Sequence, residues 1–299
     1  MARVAFVKTQ DRAAGVRQAL DLLELEPFAD KSLFVKPNFN SADPPPGSTH
    51  LDVLGTVVRF LQEQGATRIV VGDRSGMGDT RKVMEKTGVF ALGDALGFET
   101  LVLDELDADG WEPMKPEGCH WRRGFAFARP ALNADAIVQC CCLKTHRYGG
   151  HFTLSLKNSV GLVAKQVPGE GYNYMHELHT SLRQRTMIAE VNLAYQPSLI
   201  VLDGVEAFTK GGPAKGTRVD AQVVLAGTDR IAVDAVGVAL LRYHGTTPKV
   251  ARGKVFEQEQ IARAVELGLG VQSPDQIELV TGDAASAAYA DEIRPILLA

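Results

Sequence analysis

The chain has 299 residues, 45% hydrophobic and 23% charged, and 32 basic against 36 acidic side chains give a formal net charge of −4. At roughly 150 residues per domain that is one large domain or two, and the ordinary composition excludes disordered, collagen-like and disulfide-scaffold chains. The mild acidic balance argues against nucleic-acid binding, which needs a basic face.

Met1–Lys8 holds too few apolar residues for a signal peptide, and Val4–Val7 reads as a strand. Ala13–Leu25 reads as a helix, with Val16, Leu20 and Leu23 at helical spacing. Ser32–Lys36 is the next strand. Leu51–Gln64 repeats the helical pattern through Leu54, Val57, Val58 and Leu61, and Gly65 is placed to stop it. Arg68–Gly72, Thr80–Thr87 and Thr100–Leu103 read as strand, helix and strand. No run reaches the ~18 apolar residues of a membrane span, so a cytoplasmic protein with no membrane partner is expected.

Asp104–Gly118 is rich in Asp, Glu, Pro and Gly and reads as a connection. It suggests a division into 1–110 and 111–299. Trp121–Arg129 suits an antiparallel or edge strand. Ala136–Leu143 is almost wholly apolar, as a strand buried on both faces requires. It carries Cys140, Cys141 and Cys142. Neighbouring strand residues face opposite sides and no CxxC spacing is present. The triplet therefore reads as reduced, core-filling thiols.

Phe152–Val163 is a candidate helix, Gln166–Met175 a loop and Leu178–Leu193 a long helix. Leu199–Leu202 and Val223–Ala226 are strands, Ala232–Tyr243 and Glu257–Leu267 helices, and Ile277–Val280 a last strand. This alternation predicts an α/β fold, with a mainly parallel sheet flanked by helices and two Rossmann-like lobes around a cleft.

Polar residues follow five of the strands: Lys36-Pro37-Asn38, Gly72-Asp73-Arg74-Ser75-Gly76, Lys144-Thr145-His146, Asp203-Gly204 and Gly227-Thr228-Asp229. In an open parallel sheet, ligands bind beyond the carboxyl ends of the strands. If all five strands run parallel, these groups converge. The densest stretch, Lys144 to His151, is followed by Lys157-Asn158. Its cations, two histidines and glycines can hold an anion and supply a general base. Lys144, His146, His151 and Asp203 are the candidate catalytic residues. Lys36, Asn38, Asp73, Arg74, Lys157, Asn158 and Gly212 are the candidate substrate-binding residues.

The backbone amides of the Gly72–Asp79 loop could cradle a phosphate or carboxylate; the loop is neither a Walker loop nor a GxGxxG fingerprint, and nucleotide use is a third alternative. His176 and His179, three apart, share a helix face and could ligate a divalent metal. Gly211, Gly212 and Gly216 surround Lys215 and permit close backbone approach to a ligand. Asp234 would either favour its own helix N-terminus or hydrogen-bond site residues from within the core.

Taken in order, these motifs resemble a known family, catalogued as domain of unknown function 362. The resemblance rests on Lys36-Pro37-Asn38, Gly72-Asp73, Leu143-Lys144-Thr145-His146 and Ser155-Leu156-Lys157-Asn158-Ser159-Val160-Gly161. It continues through Leu202-Asp203-Gly204-Val205, Gly211-Gly212-Pro213 and Ala226 to Ala235. It implies an α/β fold. Many members carry a ferredoxin-like cysteine segment and are described as iron–sulfur proteins. This chain has no such segment, so no iron–sulfur cluster is expected.

The combined expectation is an enzyme acting on a small anionic substrate in a cleft at the strand ends. The step would be His/Lys-assisted proton transfer or a redox reaction, isomerase-like or oxidoreductase-like. The alternative is a metal- or cofactor-binding carrier without turnover. A homo-oligomer is compatible with either.

Overall fold

The computed structural model describes residues 1–299. In the first part of the chain, short runs rich in Val, Ile and Phe form β1 (Ala2–Lys8), β2 (Ser32–Lys36), β3 (Arg68–Asp73) and β4 (Glu99–Val102). Between them lie α1 (Arg12–Asp21), α2 (Leu51–Glu63), α3 (Thr80–Thr87) and α4 (Val89–Leu96). Asp11 and Asp79 cap α1 and α3, accepting the Ala14 and Lys82 amides at 3.0 and 2.9 Å. The sequence reading contains no α4. Gly88, at φ +83°, ends α3 in the left-handed conformation and the chain re-enters helix at once.

A second part holds β5 (Trp111–Met114), β6 (Phe125–Ala128), α5 (Arg129–Leu132), β7 (Ala136–His146), β8 (His151–Thr153) and α6 (Ser155–Asn158). Then come α7 (Tyr174–Thr180), α8 (Gln184–Glu190), β9 (Leu199–Gly211), β10 (Gly216–Val219), β11 (Val223–Gly227) and α9 (Arg230–Tyr243). The chain closes with α10 (Pro248–Ala251), α11 (Glu259–Glu266), β12 (Ile277–Val280) and α12 (Ala284–Leu298). No helix is long and apolar enough to cross a membrane.

One mainly parallel sheet in the order β12-β1-β11-β9-β7-β2-β3-β4 forms the centre, with β10 added to β9 and β8 to β7. β5 and β6 pair by themselves, antiparallel. Because β1 lies between β11 and β12, the sheet has no break that coincides with residue 110.

β8 and β10 run antiparallel to β7 and β9, and within the eight-strand order β11 runs antiparallel to both β1 and β9. Between β9 and β11 lies only the β10 hairpin, and a parallel return would need a crossover of a dozen or more residues, usually a helix. Gly227-Thr228-Asp229 therefore sits at the opposite edge, and the expected five-way convergence is corrected. Asp229 there caps α9, accepting the Ala232 amide at 2.9 Å, and also accepts the Val271 amide at 2.8 Å.

Helices cover both faces of the sheet. On one, Val236, Leu240, Ile261 and Ile293 pack with Cys141, Leu202 and Leu225. On the other, Val16, Leu20, Val57 and Leu61 pack with Val35, Cys140 and Val201. Cys140 and Cys141 thus point to opposite faces, and all four cysteines are free thiols. Each fully buried Val, Leu or Ile stabilises these layers by about 1.5–3 kcal/mol. A third apolar cluster, around Trp121, Phe125, Phe127 and Met187, packs under the β5–β6 pair.

Two expected helices are corrected. Phe152–Val163 is instead β8, the single turn α6 and a 3-10 turn at Ser159–Leu162. The Gly149-Gly150 turn lets the chain fold back on β7, pairing Lys144 with Thr153 and His146 with His151. Leu178–Leu193 is broken between α7 and α8. There the Ser181 hydroxyl accepts the Arg183 amide at 3.0 Å, a local bond that competes with helix continuation.

Candidate active site

Parallel neighbours bring the first two motifs together. Lys36 at the end of β2 and Asp73 at the end of β3 form an ion pair of 2.7 Å. Asp73 also accepts the Phe39 and Arg74 amides, each at 2.6 Å. Gly161 lies against the pair: a Cβ there would stand 2.7 Å from both Asp73 Oδ1 and Lys36 Nζ. Only glycine lets the backbone approach so closely.

β7 delivers the next group. Lys144 Nζ donates to Asn38 Oδ1 at 2.7 Å and to the Gly47 carbonyl at 2.6 Å. Asn38 Nδ2 donates to Asn158 Oδ1 at 3.1 Å, and Asn158 Nδ2 to the Lys36 carbonyl at 3.2 Å. Arg74 donates to the carbonyls of Val163 and Val160 at 2.8 and 2.6 Å. It clamps the segment after α6 onto β3. Lys36, Asn38, Asp73, Arg74, Lys144 and Asn158 therefore form one buried polar wall, drawn from three adjacent strands and α6.

This wall bounds a cavity of about 200 Å³, which His146, Tyr148, Thr153, Lys157, His179 and Pro213 also line. Four of the lining side chains are cationic and one, Asp73, is a carboxylate. Lys36, Arg74 and Lys144 are at most 3% exposed. Their N–H groups turn into the protein, so they supply positive field more than contact. Lys157 differs. It is half-buried, and the charges around it are the cations Arg74 and Lys144. Burial, then those two charges, lower its amine to about 7.

His146 is buried and its Nδ1 accepts the Gly150 amide at 3.3 Å. Burial, then the Lys157 charge, hold its pKa well below the usual histidine range. The ring is thus neutral, with its proton on Nε2. Gly150 joins the two groups: a Cβ there would stand 2.8 Å from Lys157 Cε and 3.0 Å from His146 Nδ1. Opposite Lys144, Thr153 Oγ1 is buried on the cavity with no hydrogen-bond partner.

α6 owes its position to α9. Asp234, fully buried in α9, accepts the Ser155 and Leu156 amides at 2.7 and 3.0 Å. Of the two roles expected for Asp234, the structure has the one inside the core.

Other candidates lie elsewhere. β9 continues past Leu202 to Gly211, so Asp203 sits within the strand opposite Cys142. It pairs with Arg12 at 2.8 Å and does not line the cavity. His151, at φ +68°, faces an adjoining cavity with Arg147 and Lys249; His146 borders both. Gly212, at φ +65°, backs β7, where a Cβ would stand 1.9 Å from the Thr145 carbonyl oxygen, and Pro213 takes the cavity wall instead.

His176 and His179, the expected metal pair, border different cavities. His179 borders the cleft, whereas His176 borders a separate cavity with His120 and Tyr172. No group of three or more His, Cys, Asp or Glu side chains is placed to hold a metal ion. The Gly72–Asp79 loop is not the open cradle expected either. Its Arg74, Ser75 and Met77 amides are bound by Asp73, Thr80 and Asn40.

Three residues escaped the sequence reading. Thr153 and Tyr148 were legible in principle, because Gly149-Gly150 after an apolar strand signals a hairpin. Arg12, the partner of Asp203, carried no signal.

Residues 33–239 match the family described as Domain of unknown function (DUF362). A protein of Synechocystis sp. named Thylakoid-associated protein sll1697 is 25% identical over 258 residues, covering 82% of this chain and 76% of that protein. The matched span contains Lys36, Asp73, Lys144, His146, Lys157 and Asp234.

Proposed function

The chain belongs to the DUF362 family, and from that premise we propose that it is an enzyme that moves a proton on a small anionic substrate bound in this cleft. The observation that carries this reading is Lys157: a partly buried lysine beside a neutral histidine, with only cations as charged neighbours. The buried cations attract the anionic end of the substrate, and burial together with those charges holds Lys157 near half-protonation at neutral pH. A group with that pKa both takes and returns a proton at the working pH, which is worth roughly 10²–10⁴-fold in rate. His146 Nε2–H donates a hydrogen bond to the oxygen on which charge develops, while its Nδ1 stays bound to Gly150. Thr153 supplies a further polar contact for the anion. The step these groups suit is isomerase-like.

The test is deuterium exchange. Small 2-oxo and 2-hydroxy carboxylates are incubated with the protein in D2O, and incorporation at the carbon next to the carboxylate or carbonyl is followed by NMR. Exchange is expected for the wild type and lost in Lys157→Met. A rise in melting temperature without exchange would favour a carrier. Absence of both would remove the reading.

A further inference from the structure

The chemistry of Lys157 narrows the substrate class. We propose that the substrate carries a carbonyl next to its anionic group, and that Lys157 Nζ forms an imine with that carbonyl carbon. This rests on the reading of the cleft as an anion site.

Three features on the cavity wall support it. Lys157 is the one cation there that is not fully buried as a residue; Lys36, Arg74 and Lys144 are sealed in the wall with their donors engaged. No carboxylate pairs with Lys157, so nothing holds it as ammonium, and neighbouring cations favour the free amine. The cavity, about 200 Å³, takes a compact molecule, with Lys144 and the unpartnered Thr153 hydroxyl side by side where its carboxylate would sit.

The step balances without an oxidant or reductant. The amine lone pair adds to the carbonyl carbon, the C–N bond forms, and the carbonyl π electrons move to oxygen. A proton passes from nitrogen to that oxygen and gives a carbinolamine. The C–O bond then breaks, the hydroxyl takes a proton from solvent and leaves as water, and the nitrogen lone pair closes the iminium. His146 Nε2–H polarises the carbonyl at the first stage. The iminium in turn acidifies the neighbouring C–H, and with Lys157 held in the C–N bond that proton passes to solvent water.

The experiment uses the full chain with pyruvate and cyanoborohydride at pH 7, followed by intact mass and peptide mapping. At that pH Lys157 has a free-amine fraction roughly a thousandfold above an ordinary lysine. One reduced adduct per chain is expected, on Lys157, at least ~10-fold enriched over every other lysine. Lys157→Arg and Lys157→Met are expected to lose it. The wild-type map decides by itself if neither variant folds. Adducts spread over surface lysines without preference for Lys157 overturn the proposal. Pyruvate that raises the melting temperature but leaves no adduct on Lys157 overturns the imine and leaves the anion site standing. No melting shift and no adduct overturn both.

Discussion

Asp234 and Ser155 lie 79 positions apart in the chain, yet the Asp234 carboxylate accepts the Ser155 amide at 2.7 Å. The carboxylate sits in the core, and the amide opens the single turn that carries Lys157 and Asn158. One α9 side chain thus aims the amine on which the proposed chemistry depends.

Asp234→Ala is expected to lower stability by about 2–4 kcal/mol, because it leaves two buried amides without an acceptor. Exchange on the substrate should fall even though Lys157 is intact. Burial raises the Asp234 pKa to about 7, against the two backbone bonds that lower it. A folded pKa above the unfolded one gives stability that is full below about pH 4 and lost as pH rises through 7. Urea titrations across that window should show a slope that Asp234→Asn flattens. An unchanged slope would exclude the linkage.

Lys157 has the opposite sign. Its folded pKa of about 7 lies below the ordinary lysine value, so the folded state binds fewer protons between the two. Its cost is full below pH 7 and relieved as pH rises toward 10. Lys157→Met should therefore stabilise the protein at pH 6 by roughly 2–4 kcal/mol, allowing for partial exposure of the side chain. Anion binding should take up a proton near pH 7–8, readable by calorimetry in buffers of different ionisation enthalpy. Binding with no proton uptake would contradict the site.

Arg12→Met is expected to cost about 3–5 kcal/mol, because the buried Asp203 carboxylate loses its counter-ion. Asp203→Asn should leave anion affinity as it was, since Asp203 lies outside the cavity. A folded Asp203→Asn protein that no longer binds anions would return Asp203 to the site.

Gly161→Ala forces a methyl to 2.7 Å from both members of the Lys36–Asp73 pair, which is sealed in the wall. Overpacking of this kind costs about 1–3 kcal/mol. Anion affinity should fall with it, because the wall and the segment after α6 must separate. Retained affinity in a folded variant would show that the wall tolerates the shift.

Cys140, Cys141 and Cys142 are fully buried, and burial pushes their thiol pKa values up. Alkylation of the native protein should label Cys119 alone, and slowly, since burial raises its pKa as well. Labelling of the triplet under native conditions would show that β7 opens.

Most strands were legible because their period and their apolar content are local. Ser32–Lys36 and Ile277–Val280 match the structure residue for residue. Helix interruptions were less legible. Ser181 breaks an apolar pattern that continues on both sides, and the break depends on one side-chain bond. The direction of β11 follows from the short β10 connection, a signal that was present in the spacing and carried less weight than the apolar run itself.

By itself, the sequence determined the alternation of strands and helices, the buried cysteine strand, and the set of polar residues placed after each strand. These depend on neighbours within a few positions. Tertiary structure decided which of those residues meet. It brought Lys36 to Asp73 and placed Gly150 against Lys157 and His146. It sealed three cations in the wall, and it moved Asp203 to Arg12 and Asp229 to the far edge. A lysine's place on the wall or at the opening depends on burial and on charges from distant segments. Spacing alone cannot encode either.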